Sequence, residues 1–119
     1  MHEMGVTQRI LAAALERATT QGLDRVGAVR VEISPFSGID ADEVRLCFEQ
    51  ASRGTPAQGA SLAVSEMALD ARCRACGAQV TVSSPHAACA CGSVDLELPP
   101  LQDWRLVAVE ADSSPSPPR

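Results

Sequence analysis

Four of the five cysteines in this chain lie in one short stretch, residues 73–92, which reads CRACGAQVTVSSPHAACACG. Cys73 and Cys76 form a C-x2-C pair. After a spacer of twelve residues, Cys89 and Cys91 form a second pair. Zinc is typically held by four thiolate or imidazole ligands in a tetrahedral arrangement, and two close cysteine pairs joined by such a spacer are typical of a structural zinc site. The stretch therefore predicts a small module that folds around a zinc ion.

The second cysteine pair is one residue shorter than the first, because only Ala90 separates Cys89 from Cys91. Residues two apart in an extended strand are about 6.6 Å apart, so this segment has to bend before both thiolates reach one ion. His86 precedes Cys89 by three residues and offers an imidazole nitrogen as another donor. We expect four thiolate ligands, and the alternative set replaces Cys89 with His86. If it is not a ligand, His86 is an exposed loop residue.

Composition and charge exclude several classes of protein. The chain has 119 residues, which corresponds to about one domain, and its formal net charge is -5. An acidic chain without a basic stripe is not expected to bind nucleic acid or an anionic membrane. We see no signal peptide and no apolar run long enough to span a bilayer. The odd number of cysteines argues against a secreted disulfide scaffold, so a cytoplasmic location is expected.

Hydrophobic periodicity predicts an α/β (α+β) fold in which two helices pack on a small three-stranded sheet. The zinc-ribbon-like module is inserted between the second and third strands. The first helix has its apolar residues between Val6 and Ala18 and should end at Gly22, and a second helix should begin at Asp40. Strands are expected near residues 29–33, 62–67 and 104–109. We place a discontinuous α/β domain at residues 1–69 and 99–111, a zinc-binding module at 70–98, and a disordered tail at 112–119.

The chain opens with Met1-His2-Glu3, which is a second candidate metal site. The terminal amine of Met1, the backbone amide nitrogen of His2 and its imidazole can bind one ion in small chelate rings. The amide of Glu3 can supply a fourth nitrogen, and its carboxylate can tune the site or bind the ion itself. Flat nitrogen coordination is typical of Ni(II) or Cu(II) rather than zinc. Without other evidence, a solvated terminus is the simpler interpretation.

Three segments together give the chain a family resemblance. They are the opening Met1-His2-Glu3-Met4, the run RGTPAQGA at residues 53–60, and the late cysteine pairs with the run CGS at residues 91–93. On these residues the chain resembles the HypA/HybF family, the nickel metallochaperones of [NiFe]-hydrogenase maturation. It departs from the family pattern at Gly5, where the family usually has serine. It departs again at the second cysteine pair, which is usually C-x2-C.

The resemblance implies a carrier and not an enzyme. His2, Glu3 and the terminal amine of Met1 would bind Ni(II), and the paired cysteines would hold structural Zn(II). The carrier would work with the hydrogenase-maturation GTPase and pass nickel to the [NiFe]-hydrogenase large-subunit precursor, and such chaperones also supply urease maturation proteins in some organisms. No nucleic acid and no membrane would be involved.

Two alternatives from other classes stay open. One is a structural zinc-ribbon adaptor that binds protein partners without nickel. The other is a zinc ribbon that binds nucleic acid, which the acidic charge and the scarcity of aromatic residues disfavour. Metal analysis of the purified chain distinguishes the carrier from the adaptor.

Overall fold

Two helices and six strands make up the part of the chain that the computed structural model describes, residues 2–112 without the side chain of His2. Met1 and residues 113–119, most of the tail predicted to be disordered, lie outside the described residues. The elements in chain order are α1 (His2–Gln21), β1 (Val26–Ile33), α2 (Ala41–Ala51), β2 (Ser61–Glu66), β3 (Leu69–Cys73), β4 (Gln79–Val82), β5 (Leu96–Glu97) and β6 (Trp104–Ala111).

The strands form two three-stranded sheets. The first has the order β2-β1-β6 and the second the order β4-β3-β5. The predicted fold class is therefore confirmed, because the three strands expected from the sequence make up the first sheet. The second sheet was not predicted as strands. In it, β3 pairs antiparallel with β4, from Leu69 opposite Val82 to Arg72 opposite Gln79, and antiparallel with β5.

The described chain divides into two compact units. The first contains both helices and is formed by residues 2–31, 39–65 and 106–112. The second is formed by Glu32–Gly38 and Glu66–Arg105, and it contains the second sheet and the clustered cysteines. No helix among the described residues is long and apolar enough to cross a membrane.

Helix α1 buries an apolar stripe that includes Ile10, Ala14 and Ala18. It ends where the sequence predicted, at Gly22, which has a φ of +74°. Two hydrogen bonds close the end: the Gly22 N–H donates to the Thr19 carbonyl at 3.1 Å, and the Leu23 N–H donates to the Ala18 carbonyl at 2.8 Å. This is a Schellman motif, in which glycine adopts the left-handed conformation that other residues disfavour.

Helix α2 begins after Asp40, as predicted from the sequence. The Asp40 side chain accepts hydrogen bonds from the backbone N–H groups of Asp42 at 2.9 Å and Glu43 at 3.3 Å. These are two of the first N–H groups of the helix, which have no acceptor within the helix itself. Val44 and Phe48, one turn apart, are the buried residues of α2 and fix which face it turns to the core.

Strand β1 runs through the middle of the first sheet and contains a glycine that the packing requires. A Cβ atom added at Gly27 would lie 2.6 Å from Cα of Asp112 and 2.7 Å from the carbonyl oxygen of Ala111. Both neighbours are backbone atoms, so they cannot move aside as a flexible side chain does. The end of β6 therefore approaches β1 as closely as it does because position 27 has no side chain.

Candidate metal centres

The side chains of the four clustered cysteines meet at one point. Their sulfur atoms all lie within 4.8 Å of one another. Sγ of Cys73 is 3.7 Å from Sγ of Cys91, and Sγ of Cys76 is 3.6 Å from Sγ of Cys89. A zinc ion with four Zn–S bonds of about 2.3 Å has sulfur atoms about 3.8 Å apart along each edge of the tetrahedron. The cluster therefore has the donor chemistry and the dimensions of a tetrahedral zinc site.

The first cysteine turn, residues 73–78, follows directly from strand β3. The Gly77 N–H donates to the Cys73 carbonyl at 2.8 Å, and the Cys73 N–H donates to the Ala78 carbonyl at 2.9 Å. Gly77 has a φ of +77°. Because glycine has no Cβ, it takes this conformation without strain and lets the backbone turn around both thiols.

The second cysteine turn, residues 89–93, repeats these two hydrogen bonds with one residue fewer. The Gly92 N–H donates to the Cys89 carbonyl at 2.8 Å, and the Cys89 N–H donates to the Ser93 carbonyl at 2.9 Å. Gly92 has a φ of +93°. In both turns the glycine after the second cysteine donates to the first cysteine, and the first cysteine donates to the residue after the glycine. The short C-x-C pair thus bends as the sequence required, through a turn that is one residue tighter.

An apolar cluster of the second unit lies beside the first cysteine turn. Its buried members come from β3, from the end of β4 and from the residue that follows β2: Met67, Leu69, Ala71 and Val82. Partly buried residues pack against them: Val80, Ala87, Leu96 and Leu98. The cluster is small, so a metal cross-link between the two cysteine turns is expected to add much of the stability of this unit.

The thiols of Cys73 and Cys76 have different pKa values. The backbone N–H of Cys76 donates toward the sulfur of Cys73 and lowers the pKa of Cys73 to about 6. At Cys76 the backbone N–H of Ala78 favours the thiolate, but the neighbouring Cys89 and Cys73 outweigh it and raise the pKa of Cys76 to about 11. Thiolates this close repel one another, and a bound divalent cation removes that repulsion.

His86, the alternative zinc ligand, lies apart from this cluster. Among the His, Cys, Asp and Glu donors of the described residues, the group that comes together consists of the four cysteines alone. His86 is exposed, and its backbone N–H donates to the side-chain oxygen of Ser84 at 3.2 Å. The fifth cysteine, Cys47, is half-buried on α2 and is also outside the group.

The N-terminal candidate site is described only in part. The amine of Met1 and the imidazole of His2 lie outside the described residues, although α1 begins at His2. Glu3 is only 9% exposed, and its Oε2 atom accepts a hydrogen bond from the backbone N–H of Asp40 at 3.4 Å. Sequence reasoning missed this contact, because no local pattern relates residues that are 37 positions apart.

The first unit has a candidate site at the start of its first helix, and four thiols converge in the second unit. These two features define a small metal-binding protein. A model of the family described as hydrogenase/urease nickel incorporation, metallochaperone, HypA matches residues 1–111. The chain belongs to the HypA family, whose members are metallochaperones and non-catalytic maturation factors.

Individual relatives agree with this family. The chain is 38% identical over 112 residues to the hydrogenase maturation factor HypA of Nostoc sp. (strain PCC 7120), with 94% of this chain and 96% of that protein covered. It is 34% identical over 113 residues to the HypA protein of Azotobacter chroococcum, and the match covers 94% of this chain and all of the relative. The solution structure of the nickel metallochaperone HypA from Helicobacter pylori has a similar fold, with a TM-score of 0.65 and 21% identity over 93% of this chain and 97% of that one.

Proposed function

We propose that this protein is a nickel metallochaperone that binds Ni(II) at its N-terminus and delivers it to the [NiFe]-hydrogenase large-subunit precursor. The observation that carries the proposal is the family match, which starts at residue 1 and so includes the Met1-His2-Glu3 opening. The protein itself catalyses no reaction, and its cargo leaves unchanged. We place its work in the cytoplasm, with the hydrogenase-maturation GTPase as a further partner and urease maturation proteins as a second possible destination.

The start of α1 suits a chelate made from backbone nitrogens. The first N–H groups of an α-helix have no carbonyl acceptor one turn earlier. A metal that replaces the amide proton of His2 therefore breaks no hydrogen bond of the helical ladder. The amine of Met1, this amide, the imidazole of His2 and the amide of Glu3 together supply four nitrogens in the flat arrangement that Ni(II) accepts. The imidazole is the side-chain anchor of the chelate.

The carboxylate of Glu3 has a different task in this proposal. Its bond to the Asp40 backbone fastens the first turn of α1 to the start of α2, so it holds the nickel-binding nitrogens against the fold. The carboxylate thereby tunes the site, while the backbone of Glu3 contributes the direct bond. Of the two roles that the sequence left open for Glu3, we therefore propose tuning over direct coordination by the carboxylate.

The zinc part of the proposal assigns Cys73, Cys76, Cys89 and Cys91 as the four ligands of a structural Zn(II). The dimensions of the cluster and the all-sulfur donor set support this assignment. When bound, zinc would supply a cross-link between the two cysteine turns. The four thiolates fill its tetrahedral coordination, so it is not expected to bind a substrate.

Nickel titration of the tag-free protein by calorimetry tests the carrier function. We expect one specific Ni(II) site that is lost in His2→Ala and in a form with one residue added before Met1, while zinc content and helix content stay unchanged. The chain contains no lysine, so no side-chain amine competes with the amine of Met1 for reductive methylation. Methylation should abolish nickel binding and leave zinc in place. Equal nickel affinity in all four samples would contradict the carrier proposal and favour the structural zinc adaptor.

A further inference from the structure

Arg74 lies between the two cysteines of the first cysteine turn and reaches across to the segment that follows the second. Its backbone N–H donates to the Asp95 carbonyl at 3.0 Å. Its Nε atom is 3.3 Å from Oδ1 of Asp95, and its Nη1 atom is 3.9 Å from Oε2 of Glu97 in strand β5. Backbone and side chain of one residue thus hold the same partner segment.

The contacts continue from Asp95 back to the second cysteine turn. The Asp95 N–H donates to the side-chain oxygen of Ser93 at 3.1 Å. The carbonyl of Ser93 in turn accepts the N–H of Cys89 at 2.9 Å, one of the two bonds that close that turn. A continuous path of hydrogen bonds and an ion pair therefore connects the first cysteine turn to the second without passing through the cluster of sulfur atoms.

We propose that Arg74 is a positioning residue that holds the two cysteine turns together in the arrangement that zinc requires. The proposal rests on the zinc part of the proposed function. Its physical basis is preorganisation: four thiols that are already close when zinc arrives lose less conformational freedom on binding. The brace matters most for the second turn, because a C-x-C pair has fewer residues with which to adjust its sulfur positions.

The expected effect is moderate. The three side chains of the brace are more than half exposed, at 54% for Arg74, 70% for Asp95 and 59% for Glu97. Exposed ion pairs contribute little individually, whereas the loss of groups that orient metal ligands typically lowers metal affinity by about 10-fold or more. We therefore expect Arg74→Ala to weaken zinc binding by roughly 3-fold to 10-fold.

Arg72 provides a matched control. It is also an exposed arginine of this sheet, two residues earlier on β3, and it lies opposite Glu97 in the strand register. The substitution Arg72→Ala removes the same charge as Arg74→Ala. Among the described residues, however, no ion pair joins Arg72 to the segment that follows the second cysteine turn. Competition of the full-length chain with a chromophoric zinc chelator should show weaker binding in Arg74→Ala and a change of less than about 2-fold in Arg72→Ala.

Asp95→Asn separates the brace from a simple charge effect, because the two predict opposite signs. In the simple charge effect, the positive charge of Arg74 favours zinc binding only because it stabilises the thiolates. The removal of a nearby negative charge would then stabilise the thiolates further and tighten zinc binding. A brace predicts that Asp95→Asn weakens zinc binding. It also predicts that the double variant Arg74→Ala/Asp95→Asn binds zinc about as weakly as Arg74→Ala alone, since both changes break one interaction.

The outcomes distinguish a failure of the Arg74 brace from a failure of the proposed structural zinc site. If the unmodified chain takes up no zinc, the structural zinc site is wrong. If it binds zinc but Arg74→Ala matches Arg72→Ala, or Asp95→Asn binds more tightly, the brace is overturned and the zinc site stands. Should Arg74→Ala not fold, Asp95→Asn and Glu97→Gln carry the test, because both keep the shape of the side chain that they replace.

Discussion

The carboxylate of Glu3, in the first turn of α1, accepts a hydrogen bond from the backbone N–H of Asp40, the residue that caps α2. The Asp40 side chain meanwhile accepts from the N–H groups of Asp42 and Glu43. Asp40 therefore caps the start of α2 and also holds the start of α1 through Glu3. Whatever binds at the N-terminus is joined through Glu3 to the place where the second helix begins.

This relationship predicts different results for two substitutions of Glu3. Glu3→Gln keeps an oxygen acceptor for the Asp40 N–H, so thermal stability and nickel affinity should change little. Glu3→Ala removes the acceptor and should lower the free energy of unfolding by about 1 kcal/mol, with weaker nickel binding as well. Thermal unfolding and nickel calorimetry measure the two effects. Glu43→Ala, an exposed acidic residue of α2, is the control for lost charge. A severe nickel defect in Glu3→Gln with normal stability would instead make the carboxylate a direct ligand.

Removal of a clustered cysteine should cost the protein its zinc and loosen the second unit. Cys73→Ser leaves three thiolates, and its oxygen is a poor replacement for sulfur at a zinc site. We expect the loss of most bound zinc by metal analysis and faster amide exchange in β3 and β4, with the helices still formed. Cys47→Ser is the matched control, because Cys47 lies outside the cluster. Equal zinc content in the two variants would refute the assignment.

The shorter cysteine pair gives a separate test of the ligand set. Sγ of Cys89 is 3.6 Å from Sγ of Cys76, whereas His86 is outside the group of converging donors. Cys89→Ala should therefore weaken zinc binding about as much as Cys91→Ala, and His86→Ala should have almost no effect. Zinc affinity from chelator competition ranks the three variants. A larger effect in His86→Ala than in Cys89→Ala would establish a site of three cysteines and one histidine.

Position 27 should tolerate no side chain. The Cβ atom of Gly27→Ala would overlap the backbone of Ala111 and Asp112, so we expect a loss of about 1–3 kcal/mol in the free energy of unfolding. Gly5→Ala is the opposite case, since a Cβ there meets nothing within 4 Å and alanine favours a helix. That variant should gain up to about 1 kcal/mol. Urea unfolding measures both, and a Gly27→Ala protein as stable as the unmodified one would show that the strand ends can separate without cost.

Local signals predicted the elements that are specified locally. The end of α1 at Gly22 and the start of α2 at Asp40 each depend on a few neighbouring residues, and both are confirmed. The cysteine spacing likewise indicated that four thiols converge. The strands of the second sheet were missed because they are short, with two residues in β5 and four in β4, and are interrupted by the turns that hold the cysteines.

Long-range contacts could not be predicted from the sequence. The pairing of Glu3 with Asp40 and of Arg74 with Asp95 joins polar residues whose spacing follows no helix or strand period. Such pairs depend on how separate segments fold back together, and a single sequence does not encode that in any local pattern. The family resemblance at Met1-His2-Glu3 indicated a nickel site, which hydrophobic periodicity and composition did not indicate.

The two cysteine turns close with the same pair of hydrogen bonds although one contains a residue fewer. A chain can therefore carry one residue fewer between paired cysteines and still close the loop, with a glycine directly after the second cysteine. A genome search that insists on a fixed C-x2-C interval would overlook such chains. A search anchored on the cysteine-glycine step, with the interval left variable, would recover them and would also suggest where a designer can shorten a metal loop.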